Sequence, residues 1–199
     1  MRNTAKNRLI NLIRKKLSDR RGFSLGELLA ATVILLLASQ VMTQGMAFAT
    51  RMYNESMTRS HAKQLCSTLT NVIEKELRYT TSVNTDTDGT TVLKYFSPTY
   101  GKTESAFATV DSDGNKTDGT AGGEIAVQLM AEDGSFYWQK LISSASYSSF
   151  GLKALVSPVK YDQFNKIFSV ELRIMDKDTV IVTNTFQVMP VNTVKVNPD

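Results

Sequence analysis

The chain has 199 residues, of which 42% are hydrophobic and 21% charged, with a formal net charge of +4. Residues 1–22 carry eight Lys and Arg against Asp19, a net +7, which leaves −3 for residues 23–199. Because binding to nucleic acid needs basic residues on the folded surface, this distribution argues against a direct nucleic-acid site. The length suits one domain plus an anchoring or targeting segment, and Cys66, the only cysteine, excludes an intrachain disulfide.

The first predicted element is a membrane-spanning helix. Residues 28–50 contain no charged residue, and about 20 apolar residues are enough for a helix to cross a bilayer. A buried core helix would show a polar stripe, whereas Thr32 is the only polar residue between Leu28 and Ala38. The basic run before this segment favours a cytosolic N-terminus. We therefore expect residues 23–50 to cross the cytoplasmic membrane once, with the N-terminus in the cytosol and the residues after the helix outside.

The helix is predicted to continue beyond the membrane as an amphipathic segment, residues 51–83. No proline occurs before Pro98, and no strong turn cluster occurs before residue 84. His61 lies in the polar first part of this segment, where we expect it to be solvated. An apolar stripe follows at spacings of mostly three and four residues, which predicts a helix face packed on a partner. Its residues are Leu65, Cys66, Leu69, Val72, Ile73 and Leu77.

The remaining residues, 84–199, are predicted to form an antiparallel β globular head. Strands are expected at residues 92–96 and 106–110, with hairpins at 124–131/136–142 and 167–175/179–189, and turn-rich loops at 111–123 and 143–151. The second hairpin alternates clearly, which is typical of a sheet covered on one side. Its apolar residues are Phe168, Val170, Leu172 and Ile174 on one strand and Val180, Val182, Phe186 and Val188 on the other. The predicted fold class is α+β, a long N-terminal helix packed on an antiparallel β-sheet.

The residues around the helix start carry a family resemblance. Gly22 and Phe23 follow the basic leader, Glu27 lies four residues after Phe23, and the apolar run begins at Leu28. This arrangement resembles the prepilin family, which comprises type IV pilins, type II secretion pseudopilins and competence pseudopilins. The order of helix and sheet is similar to the pilin layout. Residues 73–83 are similar in style to minor pilins and minor pseudopilins, so a minor structural subunit is predicted.

The resemblance implies that prepilin peptidase, a membrane aspartic peptidase, cuts between Gly22 and Phe23 and removes the leader, residues 1–22. Glycine before the cut lets the backbone lie extended in a protease cleft. The new amine of Phe23 would be N-methylated and would keep its charge. Glu27 would become the fifth residue of the mature chain and dock on the N-terminal amine of a neighbouring subunit. Gly26 departs from the family, which more often has a larger residue before the glutamate.

The resemblance also implies the partners and the location of the protein. The partners would be the peptidase, other pilins or pseudopilins, the inner-membrane assembly platform and membrane lipid. The subunit would move from the cytoplasmic membrane into an extracellular or periplasmic filament. Whether that filament serves a pilus, type II secretion or competence stays open.

An ordinary targeting signal is the alternative. A signal peptidase site at residues 47–49 would release a chain that begins at Thr50, and an uncleaved signal anchor would keep Met1. Either would deliver a secreted or membrane-tethered binding domain. Two features argue against a signal peptide. The basic region before the apolar run is long, and Glu27 would have no role. The N-terminus of the mature protein separates the alternatives.

No catalytic residue and no cofactor are predicted. The chain has one histidine and one cysteine and lacks the glycine-rich phosphate-binding and nucleophile motifs, so an enzyme is not expected. One acidic loop could supply oxygen ligands to calcium, but neither register of the EF-hand pattern fits fully, so a solvated turn is the preferred interpretation. The candidate ligands in that loop are Asp111, Asp113, Asn115, Asp118 and Glu124.

Overall fold

The computed structural model describes residues 24–100, 104–117, 120–131 and 133–198. The chain divides into two compact units, Met1–Tyr53 and Asn54–Asp199, here called the first and second unit. The predicted cleavage and methylation residues, Gly22 and Phe23, lie outside the described residues, as does the calcium candidate Asp118.

The long helix, α1, runs from Leu25 to Arg78 and contributes to both units. In the first unit every described side chain is exposed. In the second unit the helix buries five of the six residues of the predicted apolar stripe and leaves Val72 half-buried, which places one helix face against the sheets. The buried residues of α1 are Ala62, Leu65, Cys66, Leu69, Ile73, Glu76 and Leu77.

The helix ends five residues before the predicted boundary at residue 83. Its last turn tightens, with the Thr80 amide donating to the Leu77 carbonyl at 3.2 Å. The Thr81 amide then donates to the Phe96 carbonyl of a strand at 2.9 Å. Threonine and valine prefer extended backbone, and this local preference favours leaving the helix here.

The described residues form eleven strands and a second, one-turn helix. The strands are β1 Ser82–Thr85, β2 Val92–Phe96, β3 Glu104–Ser105, β4 Phe107–Val110, β5 Glu124–Met130, β6 Phe136–Lys140, β7 Leu152–Val156, β8 Lys160–Asp162, β9 Ile167–Asp176, β10 Thr179–Val188 and β11 Lys195–Pro198. The short helix, α2, is Ala145–Ser148 and lies in a segment that was predicted as a loop. A 3₁₀ turn covers Pro98–Tyr100.

The strands form three small sheets where the sequence predicted one. The first has the order β11-β1-β2-β3, the second β10-β9-β7 with β8 also paired to β9, and the third β4-β5-β6. All pairs are antiparallel except β1–β11, in which Ser82 is the partner of Lys195. The α+β class and the packing of a long N-terminal helix on antiparallel-rich sheets are confirmed.

Both predicted hairpins are present, as β5–β6 and β9–β10. The predicted inward face of β9 is buried along its whole length, through Phe168, Val170, Leu172 and Ile174. The predicted face of β10 is correct only in part. Val188 is buried, and Val182 and Phe186 are half-buried, but Val180 is 44% exposed. A register shift between Val180 and Val182 inserts one extra residue and breaks the alternation.

Two close contacts join the third sheet to its neighbours. Gly123 bridges Ala154 of β7, and a Cβ at Gly123 would lie 2.2 Å from the Val110 carbonyl oxygen, so only glycine fits. From α2, the buried Tyr147 hydroxyl accepts a hydrogen bond from the Ile125 amide at 3.1 Å. This side chain therefore satisfies a backbone donor that the interior would otherwise leave without a partner.

The structure agrees with the predicted environment of Cys66 but not with that of His61. Cys66 is buried in the core as predicted, and burial raises the pKa of its thiol. His61 was predicted to be solvated but is half-buried, because its ring stacks on Phe150 with the two ring centroids 3.8 Å apart. The segment 143–151, predicted to be irregular, brings Phe150 back against the helix.

Candidate assembly site

The start of α1 is held by a reciprocal pair of hydrogen bonds. The Ser24 amide donates to Oε2 of Glu27 at 3.0 Å, and the Glu27 amide donates to the Ser24 hydroxyl at 3.2 Å. This is a capping box, which satisfies two amides that the first helical turn cannot pair internally. The sequence-based prediction of the site included Glu27 but not Ser24. The Ser-x-x-Glu spacing before an apolar run is the signal that identifies it.

The capping box fixes where the Glu27 carboxylate lies. Ser24 directly follows Phe23 in the chain, so the carboxylate is bound to the amide one residue after the predicted cleavage junction. A negative charge at a helix N-terminus is also favoured by the helix dipole. Both side chains are exposed, and a carboxylate accepts more than one hydrogen bond, so Glu27 can accept a further donor from another molecule.

The helix after Glu27 presents an apolar surface in all directions. α1 is long and apolar enough to cross a membrane, which is compatible with a single-pass anchor. Its large exposed apolar residues include Leu28, Leu29, Val33, Ile34, Leu35, Leu36, Leu37, Val41, Met42, Met46 and Phe48.

The polar hydroxyls of this segment are satisfied within the helix itself. Thr32, Ser39, Thr43 and Thr50 each donate to a carbonyl three or four residues earlier, at 2.8 to 2.9 Å. A bilayer offers no water to pair such groups, so internal pairing lowers the cost of placing them in lipid.

In the acidic loop, the Asp111 carboxylate is bound by backbone amides of the same loop. Asp111 accepts from the amides of Asn115 at 2.8 Å and Asp113 at 3.0 Å. The hydrogen bond from the Asn115 backbone amide is the main reason that the pKa of the Asp111 carboxyl lies below its ordinary value.

Glu124, another described carboxylate of that candidate set, is held by a lysine. The Lys140 ammonium lies 2.9 Å from Oε2 of Glu124 and donates to the Ser112 carbonyl at 3.0 Å. The Ser144 hydroxyl donates to the same carboxylate oxygen. A protein cation therefore already bridges Glu124 to the loop that contains Asp111. Within the described ranges, no group of three or more His, Cys, Asp or Glu residues is placed to hold a metal ion.

No protein-family model, curated protein or solved structure matches this chain. The features that bear on function are the capped carboxylate of Glu27 and the apolar helix that follows it.

Proposed function

We propose that this chain is the precursor of a minor pilin or minor pseudopilin, a structural subunit of a type IV pilus, type II secretion or competence-type filament. Residues 1–22 are the cytosolic leader. The first half of α1 lies in the cytoplasmic membrane and later in the filament core, and the second unit lies outside. The observation that carries the proposal is the Glu27 carboxylate in the first turn of a membrane-competent helix.

The capping box alone does not account for a charged residue at this position. Glutamine at the third helical position accepts the same hydrogen bond from the N-cap amide. It would also cost less at the edge of a membrane, because a charge in the bilayer is unfavourable by about 2.5–3.5 kcal/mol at the helix centre and less near the end. A glutamate therefore suggests a role for the charge itself, beyond helix capping.

Cleavage at Gly22–Phe23 would create the cation that Glu27 needs. The new amine of Phe23 would lie next to the Ser24 amide that already binds Glu27. In a filament, a staggered neighbour would present its own amine to this carboxylate, and each subunit would offer one charge of each sign. A buried pair of this kind is strongly selective, because an unmatched partner leaves a charge without compensation.

The exposed apolar surface of the first unit supports the same assignment. Every described side chain of this unit is exposed, so these residues need lipid or other helices as neighbours. Before assembly the surrounding bilayer would cover them, and after assembly the helices of adjacent subunits would do so.

The mature N-terminus tests the proposal directly. Protein purified from membranes or filaments should have the intact mass of a chain that begins at Phe23, with one added methyl group. Gly22→Leu should leave the full-length precursor in the membrane, whereas Gly26→Ala, beyond the cut, should be processed normally. A chain that begins at Thr50 would establish an ordinary signal peptide, and an uncut Met1 would establish a signal anchor.

A further inference from the structure

A cleft of about 1050 Å³ opens in the second unit where two strands of the chain separate. β2 pairs with β3 only through Tyr95 and Phe96. After Ala106 the chain continues as β4, which pairs with β5 of a different sheet. The space between β2 and β4 is closed on a further side by residues 155–159.

The lining of this cleft is positively charged. Lys94, Lys116 and Arg173 line it, and the described lining residues include no carboxylate. Residues 54–199 as a whole contain 14 Lys and Arg against 17 Asp and Glu, a net −3. The cleft thus concentrates positive charge on a unit that is otherwise acidic, and this favours an anionic ligand.

The three cations are available to such a ligand. Lys94 pairs with Glu104 and Arg173 pairs with Glu171, each at 2.5 Å between partly exposed side chains, and neither carboxylate lines the cleft. Exposed pairs of this kind contribute little to stability, so a ligand carboxylate can replace the protein carboxylate at small cost. Lys116 is exposed and makes no ion pair within the described part of the chain.

The shape of the cleft favours an extended chain. Its walls include β2 and β4, two extended strands that do not pair with each other. The rings of Tyr95 and Phe107 stack across the point where they separate, with centroids 5.0 Å apart. The main-chain edges of both strands are already largely bonded within the protein, so a ligand meets mainly side chains. The alternate side chains of an extended peptide can reach the charged and apolar parts of the wall.

We propose that this cleft binds an extended acidic peptide segment of a partner protein. The carboxylates of the peptide bind Lys94, Lys116 and Arg173. This inference concerns the second unit alone and does not depend on the proposed assembly into filaments.

The protein carries a reporter for this binding. Trp138 is the only tryptophan of the chain, it is half-buried, and it lines the cleft. Its fluorescence therefore changes when a ligand enters. This matters because the +7 leader of the full chain also attracts acidic peptides, and a bulk binding assay would count both events. The fluorescence of Trp138 registers only the cleft.

The test titrates full-length protein in a nonionic detergent with hexaglutamate, with hexaglutamine as the uncharged control. We expect a saturable change in tryptophan emission with hexaglutamate only, weakened by added salt. Replacing the three cleft cations together (Lys94→Gln, Lys116→Gln, Arg173→Gln) should raise the Kd by about tenfold or more, because the attraction is electrostatic. The matched control Lys63→Gln, an exposed lysine on α1, should stay within about twofold of wild type.

The single variant Lys116→Gln keeps the test valid if the triple variant does not fold, because it removes no ion pair with any described residue. It should weaken hexaglutamate binding while circular dichroism stays unchanged. Absence of any emission change up to about 1 mM hexaglutamate, or equal binding by wild type and Lys116→Gln, would overturn the proposal. Displacement of hexaglutamate by oligothymidylate at lower concentration would instead assign the cleft to single-stranded nucleic acid.

Discussion

Three substitutions at the helix start separate the two roles that Glu27 can have. Ser24→Ala removes the hydroxyl that accepts from the Glu27 amide but leaves the charge. Glu27→Gln keeps an acceptor for the Ser24 amide and removes the charge. Glu27→Ala removes both. Both residues lie beyond the Gly22–Phe23 junction, so the three variants should be inserted and cut as wild type is.

The expected magnitudes differ widely. Loss of an N-cap hydroxyl costs about 1 kcal/mol, which is about fivefold in an equilibrium. Loss of one partner of a buried ion pair costs about 3–5 kcal/mol, which is on the order of 10² to 10³ in assembly. Ser24→Ala should therefore assemble slightly less well than wild type. Glu27→Gln and Glu27→Ala should both be nearly absent from filaments, with the alanine variant the weaker of the two.

The assay is fractionation of cells that express each variant. Mature-length protein is measured in the membrane and in sheared filaments or co-purified pilin complexes, beside wild type. If Glu27→Gln enters filaments at wild-type levels while Ser24→Ala and Glu27→Ala decline, the carboxylate acts as a helix cap and the docking role is refuted. If all three assemble normally, neither role limits assembly.

The second unit allows three further tests, each on the full chain in detergent. Tyr147→Phe should lower the free energy of unfolding in urea by about 1–3 kcal/mol, because it leaves the buried Ile125 amide without an acceptor; an unchanged midpoint would contradict this. Gly123→Ala should cost a similar amount, about 1–3 kcal/mol, since its Cβ would overlap the Val110 carbonyl, and a stable variant would show that the backbone adapts easily. Thermal melts with calcium and with chelator should coincide, because the Lys140 ammonium already neutralises one candidate ligand; a calcium-dependent rise in Tm would establish a metal site.

The elements that the sequence predicted are those with a local pattern. β9 alternates from Phe168 to Ile174, and the turn after it is short, so its hairpin could be recognised without knowledge of the fold. β1, β3, β7, β8 and β11 were not predicted. Each has two to five residues, which is too few to show a clear alternation, although β1 and β8 pair with the next strand in the chain. Their conformation is decided by the sheets they join, which a local pattern does not contain.

The residues of the candidate site and of the cleft also differ in whether a local sequence pattern reveals them. Glu27 could be singled out because its spacing from Phe23 and from the apolar run matches the prepilin pattern, on which its proposed docking role rests. Ser24 could also have been found, since a capping box is a four-residue pattern. The cleft could not, because Lys94, Lys116 and Arg173 belong to three distant parts of the chain. Only the separation of β2 from β4 brings them to one surface.

The parallel pair β1–β11 has a consequence for the order in which the protein matures. β1 follows α1 directly, yet its partner strand is synthesised more than one hundred residues later, because Ser82 pairs with Lys195. During synthesis, the outer edge of β1 stays open until β11 has been made, and an open strand edge can pair with any extended chain nearby. Contacts so distant in sequence also form slowly. The chain is therefore most exposed to aggregation and proteolysis after β1 has been synthesised and before β11 has paired with it.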